Sequence, residues 1–222
     1  MAAKEKGTPE ATAETVPTPP GDARITWHHA PSPHTLLAAS HGAGGGIEAR
    51  DLRALAAALP ARGVSVALVE QPWRVAGKKI APAPSTLDTG WRVVWPALEN
   101  AGLPIVAGGR SAGARVACRT ARELGAKAVL ALSFPLHPPG KPERSRAGEL
   151  LATGVPTLIV QGGRDPFGRP EEFPELPADM ELVEVAYGDH GFGLPKSADL
   201  DEPAALALIT GAVAGWLPRA LG

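Results

Sequence analysis

The 222 residues suffice for one sizeable hydrophobic core and are too few for two comfortable domains. Apolar side chains make up 44%, and 22 basic against 23 acidic residues leave a formal net charge of −1, which gives no electrostatic case for nucleic acid or an anionic membrane as partner. The lone Cys118 excludes an intrachain disulfide and a cysteine-built metal site.

Residues 1–20 are mostly Ala, Thr, Pro, Glu and Lys and read as a disordered tail. Arg24 to His29 alternates like an exposed edge strand, and Pro31 and Pro33 make the turn after it. Thr35–Ser40 is a largely continuous apolar run, as expected of a strand buried on both faces, and it ends in His41-Gly42-Ala43-Gly44-Gly45-Gly46. A helix follows with Leu52, Leu55, Ala56 and Leu59 on one side, closing at Pro60 and Gly63. Val64–Val69 is the next buried strand. Glu70 to Ser85 is a long loop containing Trp73, and a helix from about Thr86 to Asn100 should kink or break at Pro96, which has no N–H to donate.

Pro104 to Gly108 returns as a strand, turns at two glycines, presents Ser111 and continues as a helix to about Gly125. Ala128–Phe134 is a further strand, followed by the proline-rich Pro135–Pro142 and a helix around Arg144–Thr153. Pro156–Val160 is a strand that leads to Gln161-Gly162-Gly163-Arg164-Asp165-Pro166-Phe167. Met180–Val185, the last strand, leads to Tyr187-Gly188-Asp189-His190-Gly191-Phe192. The final helix opens at Asp201 as N-cap, with Pro203 in its first turn. No apolar run approaches the ~18 residues of a membrane span and no leader pattern is visible, so a reducing cytoplasm is the expected location.

Strand and helix patterns alternate throughout. The expected architecture is a single α/β domain over residues 21–222, with a mainly parallel sheet of about six to seven strands and helices on both faces. In such sheets chemistry collects beyond the carboxyl ends of the strands, where this sequence keeps its Gly, Ser, Asp and His residues.

Gly109-Arg110-Ser111-Ala112-Gly113 fits the G-x-S-x-G elbow, a strained strand-to-helix turn that exposes a hydroxyl. A serine hydroxyl needs a base to take its proton, and His190 is the candidate. Asp165 is the candidate acid that would orient His190, with Asp189 as a rival badly placed to reach its neighbour's ring. The order Ser111, Asp165, His190 is that of α/β-hydrolases. The loop His41–Gly46 fits an oxyanion hole, with one backbone N–H from Ala112 and another from Ala43 or Gly44. His41 reads as a structural histidine holding that loop, His28, His29 and His34 as surface residues, and Cys118, Trp91 and Trp95 as core. Trp73 could belong to core or pocket. Phe167 and Phe192 flank the acid and the base and could wall a pocket. His137 and Lys141 could face the substrate and favour an acidic group.

These pieces resemble the α/β-hydrolase superfamily. More narrowly, they resemble its short dienelactone-hydrolase-like group, which includes the testis-expressed hydrolase-like proteins. The matching segments are His41–Gly45, Gly108–Ala117, Pro135–Pro142, Gln161–Asp165 and Asp189–Phe192, spanning about residues 35–195. The resemblance implies a serine hydrolase core without metal or organic cofactor, and no particular substrate. Dienelactone hydrolases proper use a cysteine where this chain has Ser111, so lactone specificity does not transfer. The first strands of larger relatives and any lid insertion are expected to be missing, leaving a shallow cleft suited to small esters. The leading reading is a carboxylic-ester hydrolase acting on a small molecule. A thioesterase or small peptidase would use the same machinery, and some members of the family act as non-catalytic scaffolds.

Overall fold

A computed structural model describes residues 11–222. Its centre is one sheet of eight strands in the order β1-β2-β4-β3-β5-β6-β7-β8. These are β1 (Thr12–Thr18), β2 (Gly21–His28), β3 (Thr35–Ser40), β4 (Val64–Glu70), β5 (Ile105–Arg110), β6 (Ala128–Leu132), β7 (Thr157–Gly162) and β8 (Met180–Val185). From β4 across to β8 every pairing is parallel; β2 runs antiparallel to β4, and β1 antiparallel to β2.

The sheet exceeds the six to seven strands expected because of β1. The expected tail of residues 1–20 divides: residues 1–10 lie outside the described residues, whereas Thr12–Thr18 pairs along its whole length with β2, from Thr12 opposite Trp27 to Thr18 opposite Gly21. The strand is almost entirely exposed, so it leaves no apolar pattern in the sequence. It is held by the ladder, by the Trp27 indole N–H donating to Glu14 at 3.1 Å, and by Val16 packing on the core. Pro17 is tolerated because this is an edge strand. The chain therefore does carry an antiparallel hairpin ahead of β3, contrary to the expected lack of first strands.

Side chains of the buried strands alternate between two cores, as the pleat requires. Leu36, Ala38 and Ala107 face one layer, and Leu37, Ala39 and Val106 the other. The first layer is covered by α2 (Pro72–Val75), α3 (Pro84–Glu99), α4 (Ala112–Thr120) and α5 (Ala147–Leu151), with Trp91, Trp95 and Cys118 buried as expected. The second is covered by α1 (Arg50–Ala58) and α6 (Glu202–Leu221). Pro96 does not end α3, which continues to Glu99. It lies on the exposed side of the helix, where a missing ladder bond is least costly. Asp201 caps α6 by accepting from the Ala204 N–H at 2.8 Å.

By length and composition α6 is apolar enough to cross a membrane. This departs from the expectation that no apolar run approaches that length; Thr210, the glycines and Pro218 interrupt the pattern without lowering its mean hydropathy below that of a span. In the fold its Ala205, Ile209, Val213 and Trp216 pack against the sheet. Among the described residues no segment is inserted as a lid over the carboxyl end of the sheet.

Candidate active site

The candidate nucleophile is set by a collision of backbones. Where β5 gives way to α4, Ser111 takes φ +53° and ψ −111°, a region that side chains avoid, at a cost on the order of 1–3 kcal/mol. The glycines two residues either side are obligatory. A Cβ on Gly109 would lie 2.5 Å from the carbonyl carbon of Gly113, and one on Gly113 would lie 2.5 Å from the carbonyl oxygen of Ser40. The elbow thus packs directly on the end of β3, from which the His41–Gly46 loop departs.

Two further strand ends converge on it. Asp165 follows β7 and His190 follows β8, adjacent in the sheet. Gly162 lets the loop after β8 lie against β7, since any side chain there would run into the Gly188 carbonyl. His190 Nδ1 is 2.8 Å from Asp165 Oδ2, and its Nε2 is 2.8 Å from Ser111 Oγ. A carboxylate only accepts, so Nδ1 carries the proton and Nε2 is left free to accept from the hydroxyl. Asp165 is fully buried, and its other contacts fix it: Phe167 N–H donates to Oδ1 at 2.8 Å and Gln161 Nε2 donates to Oδ2 at 2.9 Å. The rival Asp189 is occupied in its own turn, accepting from Gly191 and Gly193 N–H, each at 2.7 Å.

The glycine loop is anchored by His41. The buried ring donates from Nδ1 to the Gly42 carbonyl at 2.9 Å and accepts at Nε2 from the Gln71 N–H at 3.0 Å. That pattern belongs to a neutral imidazole, and burial pushes its pKa down accordingly. A Cβ on Gly42 would sit 3.1 Å from that of Ser111, so the loop passes directly beside the hydroxyl-bearing residue. Ala43 and Gly44 are exposed next to it, and Ala112 opens α4. Side chains at Gly44 and Gly45 would meet nothing within 4 Å, so packing does not demand glycine there; its absence of a side chain leaves backbone open to a ligand. Gly44, Gly45, Arg110 and Gly191 line a polar cleft of about 420 Å³.

The expected pocket residues fare differently. Phe167 lies over His190, ring centroids 4.2 Å apart. Phe192 does not wall the cleft: at φ +55° its side chain turns inward and is fully buried in the α1–α6 layer. Trp73 is buried in α2, edge-on to His41, and lines a separate cavity of about 110 Å³ with Pro72, Ile80 and Leu87. His137 is buried with both ring nitrogens occupied; its ring spans the Pro138 carbonyl at 2.9 Å and the Glu172 carboxylate at 3.2 Å, bracing the loop after Asp165. Lys141 is exposed, and its ammonium has no partner among the described residues.

Two polar side chains went unassigned in the sequence. Gln161, a buried amide in the apolar run of β7, also donates to the Gly168 carbonyl at 2.8 Å and so fixes the turn that carries Asp165. Arg110 donates from Nη2 to the His190 carbonyl at 2.5 Å and places Nε 3.2 Å from Asp51 Oδ2. A polar residue interrupting a buried strand was a readable signal for the first. Nothing local marked the second.

Residues 33–217 match the family model described as an alpha/beta hydrolase domain. No curated protein matches the sequence. Among solved structures, the dienelactone hydrolase of Anabaena variabilis superposes with a TM-score of 0.74 at 18% identity, covering 97% of this chain and 100% of that one. XC6422 of Xanthomonas campestris, described as an a/b serine hydrolase without lid, gives 0.72 at 18% identity, covering 95% and 94%. Est1E of Butyrivibrio proteoclasticus gives 0.70 at 16% identity, covering 94% and 98%. At such identities the likeness is one of fold.

Proposed function

Since the chain belongs to the alpha/beta hydrolase family, we propose that it is a serine hydrolase that cleaves a small carboxylic ester through an acyl-enzyme. The observation that carries this reading is the unbroken chain from Asp165 through His190 to Ser111, with both links at 2.8 Å. His190 Nε2 takes the Ser111 proton as Oγ bonds to the ester carbonyl carbon. The charge that develops on the carbonyl oxygen is met by the Ala112 N–H and one from Ala43 or Gly44; removing one such donor costs about 10²–10³ in rate in comparable sites. Asp165 keeps the imidazole in the right tautomer and stabilises it once protonated. His190 then gives the proton to the departing alkoxide as the C–O bond breaks. Water, activated by the same imidazole, hydrolyses the acyl-Ser111 bond. The scheme calls on no metal or organic cofactor.

The open cleft favours small or exposed esters over long acyl chains. The Est1E structure with ferulic acid bound offers a parallel for a compact acid portion. The test is labelling by a fluorophosphonate probe together with turnover of short p-nitrophenyl esters. Labelling of the wild type and its loss in Ser111→Ala supports the reading; no labelling, or equal labelling of both, defeats it. Faster turnover of matched thioesters or anilides would move the assignment to a thioesterase or peptidase on the same machinery.

A further inference from the structure

We infer that Arg110 is a positioning residue for this reaction, a brace that sets the backbone of His190 relative to Ser111. The inference rests on the proposed roles of those two residues. Arg110 directly precedes Ser111 on β5, and its Nη2 donates to the His190 carbonyl at 2.5 Å. That carbonyl has no other donor among the described residues. The base is therefore tied to the elbow twice, through its ring at Ser111 Oγ and through its backbone at Arg110.

The guanidinium has a buried counter-charge, paired by proximity and without the alignment of a hydrogen bond. Its Nε lies 3.2 Å from the carboxylate of Asp51, a residue with no exposed surface in the first turn of α1, and only 14% of the Arg110 side chain is exposed. Its Nη1 lies 3.4 Å from where a Cβ on Gly42 would be, so a larger residue there would push on it. The elbow, the loop after β3, α1 and the loop after β8 thus meet at one planar cation. Lysine, with a single ammonium point charge, does not reproduce that fork.

The loop needs such a tie. Its two ends are fixed, by the Arg164 N–H donating to the Gly188 carbonyl at 2.9 Å and by the buried Phe192 ring. Between them, apart from the Asp189 turn, His190 is held by its ring contacts to Asp165 and Ser111 and by the bond from Arg110 to its carbonyl. A displacement of about 1 Å between base and nucleophile can cost on the order of 100-fold in rate.

The test is steady-state ester hydrolysis, with fluorophosphonate labelling and thermal melting, for Arg110→Ala, Arg110→Lys, Asp51→Asn and the double variant Arg110→Ala/Asp51→Asn. Arg92→Gln, which breaks the surface pair with Glu123, is the control. The inference expects kcat of Arg110→Ala to fall about 100-fold with KM within about threefold. Arg110→Lys should recover only part of the loss. Arg110→Ala alone leaves the Asp51 carboxylate buried without its counter-charge and could unfold for that reason. The double variant removes that burden but does not restore the bond to the His190 carbonyl, so it should melt like Asp51→Asn and remain slow. Recovery of kcat in the double variant would mean that Arg110 only neutralises Asp51, and would overturn the inference. So would a folded Arg110→Ala with wild-type kcat. If the wild type neither labels nor turns over ester, the underlying hydrolase reading falls instead.

Discussion

The Asp165 carboxylate meets His190 Nδ1 at 2.8 Å from a site with no exposed surface, on a turn supported from within β7 by the Gln161 amide. Asp165→Asn should keep the bond from Phe167 N–H, because an amide oxygen can still accept it, and Gln161 still holds the turn through the Gly168 carbonyl, although its own bond to the residue is lost where amide nitrogen replaces Oδ2. The substitution reverses the demand on the imidazole, whose Nδ1 would then face an amide N–H in one orientation. The expected loss in kcat is about 10³- to 10⁴-fold, with an unchanged circular dichroism spectrum. Ester turnover at neutral pH checks it, and a loss below tenfold would deny Asp165 its role.

Ser111 is held at φ +53° and ψ −111°, which glycine adopts without a Cβ penalty. Ser111→Gly should therefore be more stable than Ser111→Ala by about 1 kcal/mol, with no turnover in either. Melting curves of the two variants decide it.

A methyl group at Gly113 would run into the carbonyl oxygen and carbon of Ser40, at 2.5 and 2.7 Å, both backbone atoms that cannot rotate away. Gly113→Ala should cost about 3 kcal/mol or more and lower the yield of folded protein. At Gly44 a Cβ meets nothing within 4 Å, so Gly44→Ala should leave the melting temperature unchanged while altering ester turnover. The contrast separates a glycine required by packing from one that serves the ligand.

His41 titrates below its ordinary 6.5 because burial disfavours its cation. Between that lowered value and 6.5 the unfolded chain binds more protons than the folded one, so stability rises with pH across this window and is lost as pH falls below about 6.5. His41→Gln should remove this contribution to the slope, at some cost in stability at pH 7.5. Urea unfolding of both proteins at pH 7.5 and 5.5 measures the difference.

Cys118 is buried in α4, and burial pushes its thiol up to about 12. The thiolate is then scarce at neutral pH, and folded protein should resist iodoacetamide and disulfide reagents. Labelling should appear only at the rate of global unfolding, in denaturant or on heating.

The convergence of Ser111, Asp165 and His190 was legible because each follows an apolar strand and the fold gathers strand ends. Arg110 was not legible, since its partners Asp51 and His190 lie far away in the chain and become neighbours only when α1 and the loop after β8 close on the elbow. Gln161 announced itself as the polar member of a buried run, without saying which carboxylate it serves. Phe167 and Phe192 looked equivalent from their spacing to Asp165 and His190. The left-handed backbone at Phe192 sends one ring into the core while the other stays over the imidazole. β1 escaped notice because an exposed edge strand buries too little to impose an alternating pattern.

The strand that delivers the imidazole is the outermost one, paired on a single side with β7, whereas the hydroxyl comes from β5, hydrogen-bonded to strands on both flanks. Thermal fraying begins at such margins and spares the middle. On warming, His190 should therefore be the first member of the trio to drift, and turnover should fade reversibly several degrees before cooperative melting, with the serine still seated in its turn.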